Sequence, residues 1–81
     1  MTPNVVAVEV RDSWLLLLSF ANGEQRCFDV APYLDKGIFK ELRDFFYFRS
    51  VRVVSGFVAW PHGQDFSPDT LYLKSVPFSL P

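Results

Sequence analysis

The fold is decided by the run Trp14-Leu15-Leu16-Leu17-Leu18-Ser19-Phe20, the turn Ala21-Asn22-Gly23-Glu24, and the segment Gln25-Arg26-Cys27-Phe28-Asp29-Val30. The five apolar residues from Trp14 to Leu18 suit either a strand or a short helix. The polar break Asp12-Ser13 before them and the turn after them decide for strand. Asn-Gly accepts positive φ at both central positions, which the twist of a two-residue hairpin demands. Asn22-Gly23 is therefore the strongest local signal in the chain. The return strand puts Phe28 and Val30 on its buried side. A strand apolar on both faces is normally central and covered on both sides, and Trp14–Phe20 is expected to be so. Upstream, Val5-Val6-Ala7-Val8-Glu9-Val10-Arg11 is rich in β-branched residues, with Val6, Val8 and Val10 on one face. Together these make a three-stranded antiparallel meander.

Pro32 and Gly37 then punctuate a loop. Ile38, Leu42 and Phe45, with Phe39 and Phe46 beside them, recur at helical spacing, which predicts a short helix over 38–46. Tyr47-Phe48-Arg49-Ser50 follows as a linker anchored by Phe48. Val51 to Val54, Ser55-Gly56 and Phe57 to Trp60 form a second hairpin, with Val51 and Val53 facing Val58 and Trp60. The run Trp60 to Asp65 is expected to leave the sheet. Ser67-Pro68-Asp69 starts a second helix: a Ser cap, Pro at the first helical position and an acid beside the positive end of the dipole. Val76-Pro77 stops that helix, and an apolar tail covers 76–81. The expected fold class is α+β, a small antiparallel sheet made of a three-strand meander plus a second hairpin, flanked by two short helices.

Eighty-one residues make one domain, expected to span 1–81. A chain this short buries only about 60% of its unfolded surface, so its core must be dense. Cys27 is the single cysteine, so no disulfide supplies help, and a reducing compartment fits. Nine Phe give the chain its heavy aromatic load, more than so small a core needs, which points to an interface. Eight basic and nine acidic residues leave a net charge of −1, interspersed along the chain. Nucleic-acid binding rests on clustered Lys and Arg, so it is not expected. Met1-Thr2-Pro3-Asn4 lacks the charged and apolar regions of a signal peptide, and no apolar run reaches the length of a bilayer span. A cytoplasmic location without membrane contact is the expectation.

Chemistry concentrates in Trp60-Pro61-His62-Gly63-Gln64-Asp65-Phe66-Ser67-Pro68-Asp69-Thr70-Leu71-Tyr72, which holds the only His and two of the nine acids. His62, Asp65 and Asp69 can be drawn as a metal site or an acid–base set. A closed metal site needs three or four ligands at defined spacing, whereas here Gly63 suits a tight turn, Asp65 a loop and Asp69 a helix start. Neither metal nor cofactor is expected. Cys27 lies mid-strand and Ser67 reads as a cap, so no nucleophile has a base and an orienting acid beside it, and catalysis is not expected. Arg43, Arg49 and Arg52 with Tyr47 and Phe48 resemble a stacking platform for single strands, but the reading preferred is a strand edge whose charges discourage sheet-to-sheet pairing. Trp14 and Trp60 read as core anchors.

Phe20-x-x-Gly23 entering a strand that ends in Phe28-Asp29-Val30, then Leu34, Phe39-x-x-Leu42-Arg43-Asp44 and Phe48-x-x-Val51-x-Val53, resembles the bacterial family called domain of unknown function 2442. Trp60-x-x-Gly63-x-Asp65-x-x-Pro68-Asp69-x-Leu71-Tyr72 is similar to that family's closing signature, and the resemblance covers about residues 4–72. Pro61-His62 departs from it, since a polar residue such as Asn tends to precede the Gly. The resemblance implies a small α+β domain with no established chemistry. It also implies a neighbouring small protein, of domain of unknown function 4160, in an arrangement like a toxin–antitoxin pair.

The expectation for function is a protein-interaction domain, the antitoxin-like half of such a cassette, or a homodimer. Its contact surface is expected at Trp60, His62, Gly63, Asp65, Asp69 and Tyr72, with the tail. The alternatives are a small-molecule or metal-binding domain at the same loop, and a weak single-stranded nucleic-acid binder.

Overall fold

In the computed structural model, which describes residues 2–78, alternating apolar residues build the meander. Strand β1 (Val5–Arg11) pairs antiparallel with β2 (Leu15–Phe20), and β2 with β3 (Gln25–Asp29). A register shift between Val5 and Ala7 lets Val5 point into the core while Val6 turns to solvent. Val6 therefore does not share the inner face of Val8 and Val10. In β2, Leu16, Leu18 and Phe20 are buried, while Leu15, Leu17 and Ser19 on the other face stay half-buried. The strand is central, but only one of its faces is fully covered.

Ser13 (φ 65°) and Trp14 (φ 60°) carry the β1–β2 connection in the left-handed region, at a cost of about 1–2 kcal/mol per non-glycine residue. Trp14 is held there from both ends. Its Nε1 donates to the Leu42 carbonyl (2.6 Å), its carbonyl accepts from Val30 N–H (3.0 Å), and its ring meets Phe45 edge-on at 5.3 Å.

The β2–β3 turn is where Asn22-Gly23 predicts it, but of another type. Gly23 N–H donates to the Phe20 carbonyl and Phe20 N–H to the Glu24 carbonyl, so the loop has three residues and only Gly23 (φ 91°) is left-handed. Asn22 instead accepts from Glu24 N–H through its side chain (3.0 Å). The two-residue turn with both residues at positive φ is Ser55-Gly56 (φ 46° and 91°), between β4 (Arg52–Val54) and β5 (Phe57–Ala59). A Cβ on Gly56 would lie 2.6 Å from Asn4 Cγ, so that turn also needs glycine for space.

Trp60 to Gln64 repeats the three-residue pattern: Gly63 N–H donates to the Trp60 carbonyl, Trp60 N–H to the Gln64 carbonyl, and Gly63 (φ 102°) takes the left-handed position. The run therefore does not leave the sheet. It returns as β6 (Asp65–Phe66), paired with β5, and the second hairpin becomes a three-stranded sheet in the order β4-β5-β6.

The helix expected over 38–46 divides in two. Gly37–Arg43 is a 3-10 run; Asp44 is extended (φ −74°, ψ 105°), and a single α-turn, α1 (Phe45–Phe48), follows. The Asp44 carboxylate accepts from Phe46 N–H (3.0 Å) and Tyr47 N–H (3.4 Å), so a side chain competes with helix continuation and starts a new turn. The break rotates the faces. Leu42 and Phe48 are buried, whereas Ile38 and Phe46, both expected inward, are exposed. Phe48 is the anchor its segment was expected to supply.

Ser67 caps α2 (Pro68–Lys74) by accepting from Thr70 N–H at 3.2 Å, with Pro68 first and Asp69 in the first turn. Val76 and Pro77 end that helix and form β7, which pairs with β3 to give the sheet order β1-β2-β3-β7. Of the tail expected over 76–81, Ser79, Leu80 and Pro81 lie outside the described residues.

Phe66 joins these layers. Its ring lies 5.0 Å from Phe28, 5.0 Å from Tyr33, 4.9 Å from Phe39 and 5.9 Å from Trp60, linking the two sheets, the Gly37–Arg43 run and a shorter 3-10 turn at Ala31–Tyr33. The fold is α+β: two antiparallel sheets around one aromatic core, with short helices. Among the described residues no helix is long and apolar enough to cross a membrane.

Candidate functional site

Gln64 closes the second three-residue turn, two positions before buried Phe66. Strand alternation therefore turns it inward, and it is only 1% exposed. A buried amide must be hydrogen-bonded or it destabilises the fold. Its Nε2 donates to the Ile38 carbonyl and to Glu41 Oε1, both at 2.9 Å, and its Oε1 accepts from the Tyr47 hydroxyl at 2.7 Å. Carbonyl and carboxylate only accept, which fixes the amide's orientation. Glu41 Oε2 lies 2.6 Å from His62 Nδ1, and His62 N–H donates to the Tyr47 oxygen at 2.9 Å. The circuit Tyr47–Gln64–Glu41–His62 is thus closed, with the His62 and Tyr47 rings stacked at 4.9 Å.

Gln64, followed by the His62 ring, holds the Glu41 carboxyl below its ordinary pKa. The Glu41 carboxylate only accepts, so it requires a proton on His62 Nδ1, as an orienting acid does for a general base. No hydroxyl or thiol is hydrogen-bonded to that ring among the described residues. Cys27 lies on β3, its thiol pushed up by burial and by Asp29.

A second network ties α2 to the first hairpin. The Tyr72 hydroxyl donates to Glu24 Oε1 (2.7 Å), and Arg26 Nη1 reaches Glu24 Oε2 (3.3 Å). Arg26 also donates to Ser75 Oγ (2.7 Å) and its carbonyl (2.8 Å), and lies 4.7 Å from the centre of the Tyr72 ring. The Tyr72 hydrogen bond, then Arg26 and Asn22, lower the Glu24 pKa, and the same Tyr72–Glu24 bond raises that of Tyr72.

The residues singled out in the closing run therefore separate. Trp60 is core, with Nε1 donating to the Phe48 carbonyl at 2.8 Å; His62 belongs to the Gln64 circuit and Tyr72 to the Glu24 network. Gly63 serves the turn, and Asp65 and Asp69 are exposed on β6 and α2. A shallow hollow of about 170 Å³, lined by Phe57, Asp65, Ser67 and Pro68, lies at this end. No group of three or more His, Cys, Asp and Glu side chains that could hold a metal occurs among the described residues. Gln64, Glu41, Tyr47, Glu24 and Arg26 were not foreseen as partners. One local signal existed: Gln64 and Phe66 share the parity of a strand.

The family model for the protein of unknown function DUF2442 matches residues 5–77, from the first residue of β1 to the last of β7. The chain belongs to the DUF2442 family. No curated protein and no solved structure matches it. In this DUF2442 chain the matched span holds both sheets and both networks. The polar residues of the closing run that are buried or half-buried are spent on internal bonds, and no buried side-chain polar atom among the described residues lacks a partner.

Proposed function

We propose that this DUF2442 chain is a protein-interaction domain working in the cytoplasm, the antitoxin-like half of a two-gene bacterial cassette. One observation carries the interaction reading. Phe46 is 83% exposed on a one-turn helix whose neighbours Phe45 and Phe48 are packed into the core. A phenylalanine held out by so short and well-anchored a turn loses apolar burial unless something covers it. Ile38, 62% exposed, sits where its own carbonyl joins the Gln64 circuit, and Phe46 follows into Tyr47 of the same circuit. On this reading the contact surface is centred on Phe46, with exposed Ile38 and His62 as further candidates, rather than on the whole Trp60–Tyr72 run. The partner on this reading is another small protein, of domain of unknown function 4160.

Affinity capture from native lysate, with mass spectrometry and light scattering on the eluate, tests this. A stoichiometric small protein supports it. A protein that elutes alone as a monomer contradicts it.

A further inference from the structure

β1 is the longest strand, and among the described residues it pairs only with β2. Among the described residues its other edge makes one backbone hydrogen bond to a strand hairpin, from Val5 N–H to the Gly56 carbonyl at 2.9 Å, where the β4–β5 hairpin packs against β1. From Ala7 to Arg11 no strand among the described residues pairs with that edge. A free edge presents backbone donors and acceptors at strand spacing, which is what an added strand requires.

Beside the C-terminal half of β1 lies an open groove of about 340 Å³, lined by Val10, Arg11, Asp12, Phe45 and Arg49. A second hollow of about 280 Å³ is lined by Phe46, Arg49 and Ser50. Arg49 is common to both, and each contains a phenylalanine. The two arginines of the groove differ. Arg11 is engaged, with Nε 2.5 Å from Glu9 and its guanidinium 5.7 Å from the centre of the Phe78 ring. Arg49 is exposed and makes no ion pair among the described residues.

We propose that the free edge of β1 and the Arg49 groove together form a docking site for an extended, acid-bearing segment of a partner protein. The segment adds as a strand along Ala7 to Arg11. One apolar side chain sits against Val10 and Phe45, and a carboxylate meets Arg49 with the directional donors a guanidinium supplies. The strand period of two sends alternate side chains to the groove, so specificity comes from a few positions and affinity from the backbone. Asp12 on the groove wall repels a misplaced acid and helps to set the register. This rests on the interaction reading above and gives the partner's chemistry.

The probe is a capped peptide of about nine residues, somewhat longer than β1, alternating threonine and valine with one central glutamate. Two controls accompany it: the same peptide with lysine for glutamate, and one N-methylated at alternate backbone nitrogens. Binding is followed by amide shifts of the labelled protein. The expected result is saturable shifts confined to Ala7–Asp12, Phe45, Phe46 and Arg49. The lysine peptide should bind about tenfold or more weakly, because like charges across a contact cost affinity, and the N-methylated one not at all. Arg49→Glu, at an exposed position without a partner, should keep the fold and reverse the preference toward lysine. Absence of shifts at millimolar peptide, shifts elsewhere, or equal binding of both charges would overturn the site. If a captured partner is lost with Phe46→Ala but indifferent to Arg49→Glu, the interaction reading stands and this site falls.

Discussion

The Tyr72 hydroxyl donates to Glu24 Oε1 at 2.7 Å and so ties the end of α2 to the turn between β2 and β3, 48 positions away in the chain. The bond needs Tyr72 neutral and Glu24 ionised, so its pH dependence is set from both sides. Glu24 has its pKa lowered from 4.5, and stability from a depressed carboxylate is present above the unfolded value and lost as pH falls through the folded one. Tyr72 has its pKa raised from 10.0, so its contribution is present below that value and lost as pH rises through the folded one. Glu41, lowered chiefly by Gln64, adds to the acid side. Melting temperature should therefore fall below pH 4.5 and above pH 10. Tyr72→Phe should flatten the part of both limbs that Glu24 and Tyr72 contribute, which scans of both proteins across pH would show.

Gln64→Ala should destabilise the protein by about 1–3 kcal/mol, because Glu41, the Ile38 carbonyl and the Tyr47 hydroxyl all lose a partner in a half-buried site. Urea unfolding should show a lower midpoint with an unchanged slope.

Phe66→Ala removes the ring that touches Phe28, Tyr33, Phe39 and Trp60, and should cost about 3–5 kcal/mol. In a domain of this size that is a large share of the total, so the variant should unfold near room temperature in a calorimetric scan.

Gly56→Ala should destabilise more than Gly23→Ala. Both sit at φ 91°, but a Cβ at Gly56 meets Asn4 at 2.6 Å and one at Gly23 meets nothing within 4 Å. Asn4→Ala combined with Gly56→Ala should recover the difference in part, leaving the backbone strain that both glycines share. Unfolding midpoints of the wild type, Asn4→Ala, Gly56→Ala and the double variant measure this coupling, with Gly23→Ala as the reference for backbone strain alone.

Legibility from sequence followed the range of the interaction. Ser67-Pro68-Asp69 was readable because cap, proline and acid act within one turn. The position of the Asn22-Gly23 turn was readable too, but its type depends on how β2 and β3 register, which the two turn residues do not encode. Apolar spacing over 38–46 misled because the Asp44 carboxylate, a local competitor, outweighed the periodicity and left Ile38 and Phe46 outside. The Gln64 circuit was invisible because its partners come from 17 to 26 positions away, and only the folded chain brings them together.

Phe46, exposed without a structural reason of its own, is the centre of the proposed protein contact. The direct measurement is capture of partner protein by wild type and by Phe46→Ser, with urea unfolding of both. Stability should agree within about 0.5 kcal/mol, since the ring is at the surface, while partner capture falls away. Equal capture by a folded Phe46→Ser protein would contradict the account.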